Sequence, residues 1–278
     1  MSGISKLAKT AETGLRKSII YKHNFLISFF SGIFSLVVQL VFWPVYYNSG
    51  SDLSFSSIKT ITISGYYLDE MITYSIIIYF IQRGTNMMNL SNSIKEDIMS
   101  GGINKYLLRP TKYLWNKWIF TISEQAISIA YSFIILIGSL LIFRNYLIRP
   151  TDIRQGGLIL FFVISSYILS FLINCIIGVL SFWMLETHAL SNLLNVLISV
   201  LSGGLFPIDM LTDRLKILLT YLPFSFMAFV PAQIYLGKMS MDTIQHNIII
   251  CTMWIIVLIL LLNNLWKKGI RRYSAFGG

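Results

Sequence analysis

Charged residues are scarce in this sequence. They make up 12% of the 278 residues, whereas a soluble domain carries roughly 25%. Hydrophobic residues account for 55%, and the mean hydropathy is +0.68. One soluble core cannot bury that much apolar surface, but several helices of about 20 residues can each cross a hydrocarbon layer of about 30 Å. The sequence therefore predicts an all-α integral membrane protein.

Catalytic and metal-binding patterns are also lacking. There is no GxxxxGK[ST] phosphate loop, no HExxH motif and no supported Ser/His/Asp set. The two cysteines, Cys175 and Cys251, both lie within apolar runs and have neither disulfide nor metal-ligand spacing. We therefore expect no catalytic residue, no metal ligand and no cofactor site in this chain.

The net charge of +10 does not indicate a nucleic-acid partner, because the basic residues flank the apolar runs. In that position they set orientation in a membrane. With both termini inside, inner segments hold 15 of the 22 basic residues, and both ends are predicted to be cytoplasmic in a multi-pass cell-membrane protein. Arg144, Arg149 and Arg154, in an expected outer loop, count against this orientation.

Six apolar segments are candidate spans, of which the fifth is too short to cross with margin. They are Asn24–Tyr47, Ile61–Gln82, Trp118–Phe143, Leu158–Leu185, Ala189–Leu201 and Asn247–Trp266. Residues 1–23 repeat apolar positions at helical spacing among basic ones, which predicts an in-plane amphipathic helix. The alternative is a simple positive anchor for the first span. No small-residue cleavage site follows the first apolar run, so we expect the N-terminus to be retained.

Two polar sets fall inside these segments. Asp69 and Glu70 are costly in lipid, so they face a cavity or bundle interior, or else lie at the outer headgroups with the helix beginning around Tyr66. Asn174 and nearby serines of the fourth segment either bond across helices or line a substrate path.

The stretch Leu90–Pro110 is the longest polar interruption between two spans. Ser93 and Glu96 have capping-box spacing, which predicts a helix start, and Gly101 with Gly102 predicts its end. Apolar and charged residues separate onto two faces of this helix. One alternative is a helix that docks in a groove of another protein, and the other is a helix lying flat on lipid headgroups.

Residues 204–245 interrupt the apolar pattern before the last span. Gly203, Gly204 and Pro207 break the fifth segment, and the following residues alternate between amphipathic and apolar stretches. We predict a broken re-entrant outer hairpin, whose irregular backbone is tolerable where it is buried in protein or lines a cavity.

This ordered set resembles the permease subunits of ABC-2 type exporters, in particular the small six-span group often found as paired permeases beside one ATPase. The resemblance covers nearly the whole chain. The strings that carry it are EDIMSGGINKYLLRP (Glu96–Pro110), LSGGLFPIDML (Leu201–Leu211) and YLPFSFMAFVPAQIYLGK (Tyr221–Lys238).

The resemblance implies one transmembrane domain over residues 1–278. It divides into the N-terminal helix (1–23), spans 1 and 2 (24–83), a cytoplasmic coupling segment (84–117), spans 3 to 5 (118–203), the outer region (204–245), and span 6 with a basic tail (246–278). Its ATPase-contacting residues would be Ile94, Lys95, Glu96, Asp97, Ile98, Met99 and Lys105. Its cavity or gate residues would be Asp69, Glu70, Asn174, Leu205, Phe206 and Pro207.

The implied partners are ABC ATPase subunits, which carry the ATP and Mg, and a second permease that is an identical copy or a sister subunit. On this hypothesis the complex exports an amphipathic substrate such as an antimicrobial peptide, a drug or another natural product by alternating access. One alternative is an ion-coupled carrier or channel that uses Asp69 and Glu70. Another is a membrane-embedded enzyme or assembly scaffold.

Overall fold

A computed structural model of the chain describes residues 22–48, 62–104, 113–148, 153–184 and 187–273. These residues are predominantly helical, and the only strand-like pairing among them is one isolated bridge between Ile63 and Tyr66. The predicted all-α class is confirmed. The α-helices, numbered in chain order, are α1 (Lys22–Asn48), α2 (Leu68–Thr85), α3 (Met88–Met99), α4 (Tyr113–Ile142), α5 (Ile153–Val179), α6 (His188–Leu201), α7 (Asp213–Tyr221), α8 (Phe229–Tyr235) and α9 (Met241–Arg272).

Four helices in the described residues are long and apolar enough to cross a membrane. They lie at Phe29–Asn48 in α1, at α4, at Gln155–Phe182 and at α9. The expected second and fifth spans correspond to α2, with 18 residues, and α6, with 14. Helix α2 is short, and it has Asp69 and Glu70 in its first turn and Arg83 in its last turn. Its composition alone therefore does not identify it as a membrane span. Six spans remain a prediction.

The second span does not begin at Ile61 as predicted, because α2 begins at Leu68. The Glu70 carboxylate accepts a hydrogen bond from the Tyr67 backbone N–H at 2.8 Å, which satisfies one otherwise unpaired amide at the helix start. Asp69 and Glu70 both lie in the first turn, where the helix dipole favours negative charge. The alternative in which the helix begins around Tyr66 describes the structure better.

Other helices also extend beyond the predicted apolar segments. Helix α4 begins at Tyr113 rather than Trp118, and α9 covers Met241–Arg272 rather than Asn247–Trp266. Hydropathy marks only the part of a helix suited to hydrocarbon, whereas backbone hydrogen bonding continues into the polar residues at either end. The fourth segment was predicted to reach Leu185, but α5 ends at Val179 and passes into a short 3₁₀ turn.

Helix α5 is the centre of the packing. Half of its membrane-crossing window is buried, compared with 22% for the windows of α1, α4 and α9. Its closest neighbours are α9 on one side, α3 on another, and α8 with the preceding turn. The apolar outer faces of the three peripheral helices are exposed, as expected of surfaces that meet lipid or another membrane subunit.

The chain direction defines two ends of the molecule. Helix α2 spans about 27 Å from Leu68 to Thr85, just before α3 begins, so its first turn lies far from α3. Helix α9 runs the same way, because Tyr273 lies near Gly101 while Lys238 contacts Glu70. We call these the α3 end and the far end.

Some expectations lie outside the described residues. These include nearly all of the N-terminal amphipathic helix, the loop after the first span, and Lys105.

Candidate functional site

Helix α3 is the best-defined feature of the α3 end. Its C-terminus follows the prediction, because Gly101 has a φ of 76°, in the left-handed region that favours glycine. The Ile103 N–H then donates to the Asp97 carbonyl at 3.0 Å, which closes the helix end. A sharp turn therefore follows α3.

The predicted start of α3 is wrong. The helix begins at Met88, so Ser93 lies inside it and does not cap it. The Ser93 Oγ instead accepts from the Lys117 Nζ at 2.5 Å. The sequence signal that would indicate the earlier start is the helical spacing of Met87, Leu90 and Ile94. All three side chains are buried in the structure.

The buried face of α3 packs against α5. Ile94 is fully buried, and a Cβ placed on Gly178 would lie 2.7 Å from the Ile94 Cβ. Only a glycine permits this approach, since two carbon atoms cannot come so close. Ile98 is 5% exposed. The two isoleucines therefore anchor α3 inside this chain, and their contact with a partner stays a prediction.

A polar network ties α3 to the start of α4. The Lys117 Nζ lies 2.9 Å from the Asp97 Oδ2, and the Tyr113 hydroxyl donates to the same oxygen at 2.7 Å. The lysine and aspartate side chains are 11% and 27% exposed. Charge-assisted hydrogen bonds in such a sheltered place are stronger than at an open surface. Asp97, expected to contact a partner, is thus engaged within the chain.

The outer face of α3 carries the remaining expected contact residues. Glu96 is exposed, Met99 is 44% exposed, and Lys95 is half-buried. The exposed surface therefore combines a carboxylate and a thioether side chain on a helix whose other face is locked in place. We define the docking face of α3 as Lys95, Glu96 and Met99.

Aromatic rings join the ends of α4, α5 and α9 beside α3. The rings of Tyr113 and Trp266 stack with centroids 5.1 Å apart, and Phe182 meets Trp266 edge-on at 5.9 Å. Gly269 makes room for Phe182, because a Cβ there would lie 2.2 Å from the ring. This contact holds α9 against the end of α5, and no periodic pattern of residues predicts it.

A second polar network lies at the far end. The Lys238 Nζ is 2.7 Å from the Glu70 Oε2 and 4.0 Å from the centre of the Tyr66 ring. The Asp209 Oδ2 accepts from the Tyr66 hydroxyl at 2.9 Å, and the Gln233 Nε2 donates to both groups. Burial, together with the negative charge of Asp209, raises the pKa of Tyr66 above its ordinary value. Tyr66 therefore stays protonated and donates to Asp209.

Asp69 and Asn174, two expected cavity residues, lie apart from each other. Asp69 is in the first turn of α2, and its Oδ1 is buried with no hydrogen-bond partner in the described part of the chain. Asn174 is 1% exposed near the C-terminal end of α5, where its amide donates to the Ser170 carbonyl at 2.9 Å. Asn174 is thus a buried packing position next to a cavity-lining serine.

The expected gate residues follow the break at the end of α6. Gly203 has a φ of 78°, and its carbonyl accepts from the Tyr74 hydroxyl at 2.5 Å. Leu205 is 51% exposed, Phe206 is half-buried, and Pro207 is buried. The predicted break is therefore present, and only Leu205 projects freely from it.

A small polar cavity of about 140 Å³ lies between α2, α5 and α6. Ser170, which donates to the Thr85 carbonyl, and Asn195 both line it. Further lining residues are Gln82, Thr85, Asn86, Ile198, Ser199, Ser202, Met227 and Ala228. Ser170 of α5 thus borders this cavity, whereas Ser166 donates to the Met227 carbonyl, and a substrate-lining role stays a prediction.

Comparison with known protein families identifies the kind of protein in which this short helix packs against a bundle of apolar helices. No curated protein sequence is significantly similar to the chain. The profile described as ABC-2 family transporter protein matches residues 26–277, which is nearly the whole chain. The chain therefore belongs to the ABC-2 family and is a membrane permease component of an ABC transporter rather than its ATPase.

Proposed function

We propose that this permease is half of an ATP-driven exporter, and that a separate ABC ATPase subunit binds the docking face of α3. The observation that carries the proposal is that α3 is held by one face and exposed on the other. Membership of the family supports association with an ATPase. On this proposal the α3 end and both termini are cytoplasmic, which agrees with the basic residues Arg271 and Arg272 in the last turn of α9.

The contacts of α3 suit it to transmit a displacement. Its buried face meets α5 at Gly178, and Asp97 pairs with Lys117 of α4. A push on Glu96 or Met99 would therefore move two long helices together, because close-packed elements shift as units and deform little. Movement of these helices would alternately open the two ends of a path between two permeases.

The cavity beside α6 is the best-supported part of a substrate path. It combines hydroxyl and amide groups with apolar side chains such as Ile198 and Met227. Such a mixed surface fits an amphipathic substrate, for example a peptide, a drug or another natural product. The neighbouring α6 exposes Leu193 and Val196, which favours a second permease, identical or sister, covering this side.

The ion-coupled alternative is weaker in light of the far-end network. Glu70 is neutralised by Lys238 and also caps α2, so it has two structural roles. A titrating carboxylate on an ion path needs freedom to exchange its proton with water. Of the two carboxylates, Asp69 has a buried oxygen without a hydrogen-bond partner among the described residues.

The decisive test is charge reversal on the docking face. Copurification under mild conditions should recover an ATPase subunit, and Glu96→Lys should reduce substrate-stimulated ATPase activity and transport at least about tenfold. A tenfold loss corresponds to about 1.4 kcal/mol of binding or coupling free energy. The thermal unfolding midpoint should be unchanged, because Glu96 is exposed.

The matched control is Asp242→Lys, a charge reversal at an exposed position of the far end. It should leave coupling intact, although it loses a favourable first-turn interaction of at most about 1 kcal/mol. Absence of any nucleotide-binding partner, or full coupling in Glu96→Lys, contradicts the proposal.

A further inference from the structure

The cavity between α2, α5 and α6 has a wall that is polar but uncharged. None of the ten described residues that line it is charged, and seven of them carry a hydroxyl or an amide. Its volume of about 140 Å³ would hold about four to five water molecules at about 30 Å³ each. A charged group without a counter-ion would pay a desolvation cost here that a neutral polar group avoids. The cavity therefore favours a small neutral group that forms hydrogen bonds.

Gln82 carries an amide that the described part of the protein does not use. Its side chain is half-buried, lines the cavity and makes no hydrogen bond with any described residue. The amide lies against Gly204, where a Cβ would overlap the Gln82 Nε2. Glycine at this position therefore leaves room for the amide at the edge of the cavity. Gln82 offers both a donor and an acceptor there.

Two further groups of the wall have unused hydrogen-bonding capacity. The Asn195 Nδ2 donates to the Ser191 carbonyl at 2.7 Å, which leaves the Asn195 oxygen as an acceptor. Ser202 is only 2% exposed, and its hydroxyl has no partner among the described residues. A sheltered hydroxyl without a partner is costly, so Ser202 requires one from the cavity.

These groups can be reached from the cavity. The side chains of Gln82, Asn195 and Ser202 all line it, and none of their polar atoms is enclosed by protein, in contrast to the Asn247 Oδ1 at the far end. They come from α2, from α6 and from the turn after α6. The cavity thus presents donors and acceptors from separate elements to whatever occupies it.

The position of the cavity places it near the α3 end. Thr85, which lines it, is the last residue of α2. Helix α6 begins beside α3, because the Ser91 and Ser191 hydroxyl oxygens are 3.2 Å apart, and Asn195 follows Ser191 by about one helical turn. In the orientation proposed above, this is the cytoplasmic half of the permease, where an exported molecule would first bind.

We propose that this cavity binds a neutral amide group, and that the substrate is recognised through the amides of an uncharged, peptide-like segment. An amide has an N–H donor and a carbonyl acceptor on opposite sides, which match the unused groups of Gln82, Asn195 and Ser202. Apolar substituents of the segment pack on Ile198 and Met227. Export of the bound segment rests on the proposed function, whereas its binding requires no ATPase.

The test compares N-butylacetamide with butyl acetate, using the full chain in phosphatidylcholine nanodiscs. The two probes have the same size and differ only in the replacement of the N–H by an oxygen. Saturation-transfer NMR measures their binding, and empty nanodiscs correct for partition into lipid. The amide should bind at least about tenfold more tightly, because the ester leaves an acceptor of the wall without its donor.

Gln82→Met keeps the length of the side chain and removes its amide. It should weaken binding of the amide probe at least about tenfold and that of the ester much less, so that the preference is lost. The unfolding midpoint should not fall, because Gln82 makes no hydrogen bond within the described chain. A merely structural role for Gln82 predicts weaker binding of both probes with the preference retained. Gln245→Met, the same change at an exposed position of α9, is the matched control and should bind like the wild type.

If Gln82→Met does not fold, Ser202→Ala removes the unpartnered hydroxyl with little change in volume and should also reduce the preference for the amide. Equal binding of the two probes by the wild type overturns the proposal, and so does an unchanged preference in a folded variant. Binding of neither probe indicates a cavity that holds water only, which overturns it as well. None of these results affects the proposed function, which fails instead if Glu96→Lys remains coupled or no ATPase is recovered.

Discussion

The two ends of the molecule use similar residues in different ways. At the α3 end, Lys117 and Asp97 form an ion pair among packed rings, and glycines at 178 and 269 allow the helices to approach closely. At the far end, the Lys238–Glu70 pair lies beside a cavity of about 420 Å³, and the buried amide oxygens of Gln233 and Asn247 lack a partner among the described residues. One end is tightly filled around its charges, whereas the other has charges that border open space.

This difference indicates different mechanical properties. A close-packed contact resists compression and transmits displacement, whereas a polar cavity adapts to its contents. The α3 end therefore suits the transfer of movement from a partner to α4 and α5. At the far end, the polar network connects the short helices α7 and α8 to the residues at the start of α2.

The difference between the two ends is tested most directly by replacing the lysine of each ion pair with methionine. The variant with the larger expected effect is Lys117→Met. Loss of the lysine leaves Asp97 largely sheltered without its counter-ion, and we expect the free energy of unfolding to fall by about 3 kcal/mol. Unfolding in mixed micelles measures this change.

Asp97→Asn in the Lys117→Met background is the control, because it removes the unpaired charge. The double variant should regain more than about 1 kcal/mol relative to Lys117→Met. Additive losses in this cycle would show that the two side chains do not interact.

Gly178→Leu tests the packing of α3 on α5. Its side chain would overlap Ile94 and the Ser91 carbonyl, so we expect a loss of about 2 kcal/mol and reduced coupling of ATPase activity to transport. Gly138→Leu is the matched control on α4, since nothing lies within 4 Å of a Cβ there. Equal effects of the two substitutions would mean that close approach at Gly178 is unimportant.

Lys238→Met should have the smallest effect on stability. The Lys238 side chain is more exposed than that of Lys117, at 24% against 11%, and it makes a modest cation–π contact with Tyr66. Without the lysine, Glu70 still accepts from the Tyr67 N–H and lies in the first turn of α2, where the helix dipole favours its charge. We expect a loss of about 1 kcal/mol in thermal or detergent unfolding, and normal coupling. A larger effect than that of Lys117→Met would reverse the comparison of the two ends.

Local patterns predicted some features well. Low charge and long apolar runs identified the membrane helices, since transfer to hydrocarbon depends on composition over about 20 residues. The end of α3 was also predictable, because Gly101 is among the few residue types that readily adopt its backbone conformation. The break after α6 follows from the same reasoning for Gly203 and Pro207.

Features that depend on distant contacts were not predictable. Ser93 and Glu96 match a capping box, yet packing of Ile94 against Gly178 extends the helix beyond that motif. Asp209 and Gln233 gave no separate signal, although they meet Tyr66 across more than 140 positions of sequence. A motif reports local preference, and tertiary contacts of a few kcal/mol can override it.

The sequence by itself determined that this chain is an α-helical membrane permease without its own ATPase motif, because composition, helix-breaking residues and family strings are properties of short stretches. Only the tertiary structure decided that Ile94, Ile98 and Asp97 face inward, and that Glu70 is paired. It also decided that Gln233 and Asn247 are buried with amide oxygens that lack a partner among the described residues. The physical reason is that burial and pairing depend on neighbours from other helices, which no single stretch contains.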